Sequence, residues 1–221
     1  MECFLLVTVL WVFSVCLHEF GHAIVAYHGG DHTVVEKGYL KMNPLHYAHP
    51  VYSLLMPVVF MMMGGIGLPG GAVYIETRLL RSRAWETAVA LAGPAMNLIL
   101  VLLISACFRI GLLPDDPQSA LSVSIAFLLQ LELSSIVLCL LPIPPMDGFR
   151  ALAPWLPEPT RASLFAMSSQ GMWIIFLALW FIQPLNHAFW NLVFWASEML
   201  GVDPGMGFLG LRAFRFWDHG F

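Results

Sequence analysis

Charge is what this chain has least of. Asp, Glu, Lys and Arg make up 11% of its 221 residues, against 59% hydrophobic residues. A soluble globular domain carries about 25% charged residues, so the deficit points to lipid as the solvent. The net charge is −4, and no basic surface argues for nucleic acid. The four cysteines, Cys3, Cys16, Cys107 and Cys139, form no CxxC pair, and three of them sit inside apolar runs. There a thiol acts as a small hydrophobe, and no disulfide framework can be read from the spacing. The opening Met1-Glu2 lacks the basic region of a cleaved signal peptide, so the first apolar run is expected to be retained. No internal repeat is evident.

What the chain has instead is a series of apolar runs. Residues 3–27 are long enough to span a bilayer. A polar loop over 28–50 holds Lys37, Lys41, His28, His32, His46 and His49. Residues 51–68 are apolar but broken by Pro57 and Gly64-Gly65, and 70–75 read as a short strand, Gly-Gly-Ala-Val-Tyr-Ile. Two further spans are expected over 84–108 and 120–141. The latter stops at Pro142, Pro144 and Pro145, which cannot continue a helix. Residues 167–200 are apolar with Pro184 near the middle and suggest a helical hairpin. Beyond them, Arg212 and Arg215 alternate with Phe214, Phe216 and Trp217, the composition of an interfacial anchor.

Basic residues choose among topologies. If 51–68 dips in and returns while 167–200 crosses twice, Lys37, Lys41, Arg78, Arg81, Arg83, Arg150, Arg161, Arg212 and Arg215 share one side and only Arg109 lies opposite. That asymmetry marks the shared side as cytoplasmic. Residues 51–68 are therefore read as re-entrant. Non-helical backbone at that depth must be covered by protein or face water.

The chemistry is concentrated in three stretches. His18-Glu19-Phe20-Gly21-His22 fits H-E-x-x-H. Helical positions four apart lie on one face, so both imidazoles can reach one ion, with Glu19 beside them to take a proton from water at the metal. Each ionisable group deep in a membrane helix costs about 2.5–3.5 kcal/mol on insertion scales. Three in one apolar run call for a compensating cation. A catalytic zinc usually has three protein ligands, and Asp147 is the candidate third. Pro142 to Pro145 end the helix and Gly148 permits a tight turn, although an aspartate there also suits a turn or a helix cap. Ala92-Gly93-Pro94-Ala95-Met96-Asn97 opens the second span. Ala84, Ala88 and Ala92 suit close helix packing. Asn97 suits either interhelical hydrogen bonding or a place in the site.

HEFGH, AGPAMN and LLPIPPMDG, in this order and each on a membrane span, resemble the site-2 protease family in a short form without a PDZ domain. Asn43-Pro44-Leu45 and the Gly-Gly-Ala-Val stretch match more weakly. The resemblance implies Zn2+ held by His18, His22 and Asp147, Glu19 as general base, and a substrate that is another protein's transmembrane helix, cut near the cytoplasmic face of a prokaryotic inner membrane. Two positions depart from the family. Cys139 stands where an asparagine usually helps hold the substrate or polarise its carbonyl, and Glu132 stands where a second asparagine is common. Phe149 also replaces the usual small residue after Asp147-Gly148.

The expected architecture is an all-α polytopic membrane protein, with five transmembrane helices, a re-entrant segment and a short β element near the active site. Residues 1–166 form the catalytic membrane core, 167–200 the hairpin and 201–221 a cytoplasmic or interfacial tail. Gly71, Ala72 and Val73 are candidates to pair with an unwound substrate by strand addition, or else simply plug the structure. Asn97 and Cys139 are further candidates for substrate or oxyanion contact. Other readings of intramembrane His and acidic residues are a metal transporter or channel and a protease-like protein that binds membrane helices without cutting. A transporter would favour internal repeats.

The charge partition makes a topological prediction. Single cysteines at Ser82 and Ser163 label from the cytoplasm, and one at Ser119 from outside. Labelling of Ser82 from outside would mean that 51–68 crosses the membrane.

Overall fold

The computed structural model describes residues 1–41 and 73–217, and these are helical, with no strand among them. The re-entrant segment expected at 51–68 lies outside the described residues, as do His46, His49, Gly71 and Ala72. Val73 to Ile75, the rest of the expected strand, are irregular and join no ladder. Three helices are long and apolar enough to cross a membrane: α1 (Glu2–Gly29), α3 (Arg83–Arg109) and α4 (Ala120–Cys139). Between α1 and α3 lies the short α2 (Thr33–Glu36), and after α4 come α5 (Asp147–Leu152), α6 (Glu158–Ala166), α7 (Ser168–Phe181), α8 (Gln183–Met199) and α9 (Pro204–Phe214). A fourth span is reached if α6 and α7, bent by 65°, count as one.

Sequence accounts for the boundaries. α1 closes on Gly30 at φ 119°, a left-handed cap that glycine adopts without a Cβ penalty. The Ser119 hydroxyl caps α4 by accepting from the Ser122 N–H at 3.3 Å. Asp203 does the same for α9 through the Gly205 N–H, at 2.9 Å.

α1 and α3 run antiparallel and pack closely, with Gly21 against the carbonyl of Ala92. α4 occupies the centre, touching α1, α3, α8 and α9. That position explains its composition. Ser122, Ser124, Gln130, Glu132, Ser134 and Ser135 are all buried, so this apolar helix turns its polar side chains to protein and not to lipid.

The C-terminal third departs from the hairpin expected at 167–200. α7 starts beside Pro144, where Gly171 packs on the carbonyl, at the end of the bundle that holds Asp147. α8 finishes at the opposite end. There Arg109 donates through Nη2 to the Met199 carbonyl at 2.8 Å and through Nε to the Leu200 carbonyl at 3.1 Å, and the Ser105 hydroxyl donates to the Leu200 carbonyl at 2.6 Å. A basic side chain thus satisfies the orphan carbonyls at a helix C-terminus. The pair α7–α8 runs from one end to the other once, so the count of five spans is not reached among the described residues.

The expected tail is corrected with it. α9 is a packed helix whose Met206, Gly207, Gly210 and Phe214 are buried. Phe214 meets Phe4 at 4.9 Å and Phe127 at 5.5 Å between ring centroids, and the Cys3 thiol donates to the Gly210 carbonyl at 3.4 Å. Arg212 and Arg215 therefore join Arg109 at the end away from the H-E-x-x-H motif. The other seven basic residues remain at the motif end. Lys37 reaches Glu76 at 3.7 Å, Arg161 reaches Glu86 at 3.6 Å and the Arg81 N–H donates to the Gly29 carbonyl at 2.9 Å.

Gly210 lies so close to the Val123 carbonyl and Phe127 Cβ that a Cβ would collide with both. Gly210→Ala is expected to destabilise the protein by about 1–3 kcal/mol through overpacking, read as a lower thermal midpoint in detergent. An unchanged midpoint would mean that α9 does not seat on α4 this closely.

Candidate metal centre

Helical spacing brings the two histidines of α1 onto one face. His18 and His22 are 4% and 5% exposed, and their Nε2 atoms lie 3.0 Å apart. Asp147 opens α5 and reaches between them, with Oδ2 3.3 Å from His18 Nε2 and Oδ1 3.6 Å from His22 Nε2. The Pro-rich turn makes this possible. Gly148 sits against the Leu140 and Leu141 carbonyls, where no Cβ fits, so the chain folds directly back over the end of α4. The ligand atoms of His18, His22 and Asp147 all lie within 4.8 Å of one another and could hold a metal ion.

α3 supplies what surrounds the imidazoles. His18 Nδ1 lies 3.3 Å from Asn97 Oδ1, and His22 Nδ1 lies 2.6 Å from the Val89 carbonyl. Both partners are acceptors, so each ring carries its proton on Nδ1 and turns the Nε2 lone pair inward. Two imidazole lone pairs and a carboxylate then converge with no donor among them, a set that suits a cation. Gly93 lies directly against both Nε2 atoms, and a Cβ there would occupy the space between them. The residues present therefore fit a metal, and the N,N,O set is one that zinc accepts.

Glu19 is 3% exposed, and its Oε2 accepts the Val73 N–H at 2.9 Å. Val73 was a candidate edge for a substrate strand; its N–H instead meets Glu19. The segment that follows is fastened too. Lys37 Nζ donates to the Tyr74 carbonyl at 3.0 Å, and the Glu76 N–H donates to Asp31 Oδ2 at 2.8 Å. Cys139 is 1% exposed, with the Ser135 hydroxyl at 3.9 Å, and lies beside Asp147. Glu132 is fully buried, facing Ser14 and His18 of α1.

Sequence reasoning left Asn97 open between two roles, and the structure places it on His18. It missed the Val89 carbonyl, for which no side chain could signal. It also passed over Gly93, whose place in AGPAMN spoke only for packing.

Comparison with known proteins gives relatives along nearly the whole chain. "Putative zinc metalloprotease Rip2" of Mycobacterium tuberculosis is 42% identical over 215 residues, covering 97% of this chain and 82% of the relative. The protein of the same name in Mycolicibacterium smegmatis is 44% identical over 216 residues, with the same coverage of 97% and 82%. "Putative zinc metalloprotease YwhC" of Bacillus subtilis is 29% identical over 206 residues, covering 90% of this chain and 88% of the relative. No family model and no solved structure matches the chain.

The geometry predicts two graded losses of metal. Asn97→Ala frees the His18 ring and weakens metal affinity about 10–100-fold, the usual cost of removing such an orienting partner. Gly93→Ala places a methyl between the Nε2 atoms and removes the metal. Metal analysis after dialysis against graded chelator checks both. Full retention in Gly93→Ala would show that the imidazoles do not converge as described.

Proposed function

The chain belongs to the site-2 protease family, and from that premise we propose that it is an intramembrane zinc metalloprotease that hydrolyses a peptide bond within or near a transmembrane helix of another protein. The observation that carries this reading is the meeting of His18, His22 and Asp147 from separate elements, with Glu19 on the same helix. His18, His22 and Asp147 are the zinc ligands. Zinc held there supplies a Lewis acid for the scissile carbonyl and lowers the pKa of water to about 7.

The chain's own groups do the rest. Asn97 and the Val89 carbonyl keep both Nε2 atoms turned to the metal position. Glu19 is the general base. It takes the proton of the attacking water and delivers it to the departing amine. Its Oε2 is occupied by the Val73 N–H, which leaves Oε1 for the water. Cys139, next to Asp147, adjoins the reacting carbonyl but is only a weak donor. Asn97, committed to His18, serves the metal before the substrate. The site lies at the end of the bundle where Lys37, Lys41, Arg78, Arg81, Arg83, Arg150 and Arg161 collect, and this bias marks that end as cytoplasmic. The relatives are bacterial, in keeping with an inner-membrane location.

The test uses purified protein in detergent and a model transmembrane substrate. Wild type carries near one zinc per chain and cuts inside the substrate's apolar segment. Glu19→Gln keeps the zinc and the fold but lowers turnover by about 10²–10⁴-fold, whereas Asp147→Ala loses zinc. Turnover near wild type in Glu19→Gln removes Glu19 as base. Several weakly bound ions with no cleavage would favour metal transport, and one tight zinc with no cleavage a helix-binding protein.

A further inference from the structure

A cavity of about 220 Å³ lies at the motif end of the bundle, with His22 in its wall. Leu80 and Val89 make part of it apolar, while Glu86, Arg150 and Arg161 bring charge. Glu86 and Arg161 already pair with each other at 3.6 Å. Arg150 is different. The residue is exposed, and apart from an electrostatic interaction with Asp147, three positions earlier, its guanidinium makes no hydrogen bond or ion pair among the described residues. Asp147 turns both carboxylate oxygens to the imidazoles. The cavity therefore joins a metal-ligand histidine at one point to a planar cation whose donors are unused among the described residues at another.

We propose that Arg150 anchors a carboxylate of the peptide that occupies this cavity. The inference rests on the proteolytic reading. In hydrolysis the C–N bond breaks, the oxygen of water enters the new carboxylate, and a proton goes to the new amine. A carboxylate thus appears beside His22, where the cavity begins, and the segment bearing it meets apolar wall and then a guanidinium. A fork of parallel N–H donors suits a carboxylate better than an ammonium does. An Asp or Glu side chain of the substrate near the cut offers the same chemistry from a second source. Arg150 is thereby a residue that recognises substrate or retains product, separate from the ligands and the base.

The experiment uses the zinc-loaded full chain in detergent and three probes: N-acetyl-dileucine as free acid, its C-terminal amide, and N-acetyl-Leu-Asp amide. Affinities come from isothermal titration, which needs no turnover, on wild type, Arg150→Gln and Arg150→Lys, each first checked for zinc content and thermal midpoint. In wild type the free acid binds at least about tenfold tighter than the amide, as expected for a charge-assisted contact. The preference vanishes in Arg150→Gln and survives in part in Arg150→Lys. If the Asp-containing amide matches the free acid, a substrate side chain serves as well as the new terminus; if it binds like the plain amide, the site is specific for the product end. Equal binding of acid and amide to wild type overturns the proposal. So does an acid preference that persists in Arg150→Gln, which would place the carboxylate on the metal. Should Arg150→Gln fail to hold zinc, the wild-type comparison and Arg150→Lys still decide. Absence of cleavage of a transmembrane substrate by wild type, with Arg150-dependent binding intact, would sink the proteolytic reading and leave the carboxylate site standing.

Discussion

Where α1 meets α3, Gly21 rests on the Ala92 carbonyl and Gly93 rests on the imidazoles of His18 and His22. The two helices are as near as their backbones allow, and most of the site follows from that approach. It sets Asn97 and the Val89 carbonyl within reach of the two Nδ1 atoms. It also leaves a gap, at the width of one missing Cβ, in which the Nε2 lone pairs can converge. In lipid such a contact gains little from hydrophobic burial, since the surroundings are equally apolar; it depends on small residues and on hydrogen bonds between helices. Here both are present at one level of the bundle, and the chemistry sits at that level.

The groups that α3 does not supply come from two chain reversals. The Pro-rich turn, closed by Gly148 under the end of α4, carries Asp147 to the imidazoles. The segment from Val73 to Glu76, held by Glu19, Lys37 and Asp31, passes over the other side. The second reversal is fixed by side chains binding main-chain groups. This is how irregular backbone near the membrane satisfies its polar atoms without a sheet. Lys37 and Asp31 thereby link the loop after α1 to the neighbourhood of Glu19, although neither takes part in the chemistry assigned to it.

Much of the centre was legible in the sequence because it depends on short-range spacing. His18 and His22 share a helix face whatever surrounds them, and the prolines with Gly148 announce a sharp turn at Asp147. The C-terminal third was not legible for a physical reason. Pro184 between apolar stretches looks the same in a hairpin as in a helix pair that travels onward, and only Arg109 on the Met199 and Leu200 carbonyls reveals the direction. α9 reads as a surface anchor from its arginines and aromatics. What embeds it is the absence of side chains at Gly207 and Gly210, which lets it lie against Gln130 and Val123, and a missing side chain carries no hydropathy signal. The charge asymmetry weakened accordingly, though its sign held.

The meeting of Phe4 with Phe214 bears on the order in which the protein is made. Every ligand and the base lie between His18 and Asp147, so a ribosome has delivered the whole centre before α9 is made. The helix carrying three of those four groups, however, has its opening turns covered by α9, which is made after all of them. Until α9 arrives, α1 is gripped along α3 but open at its first turns. The groups of the centre are therefore all synthesised before the contact that steadies the first turns of their helix can form.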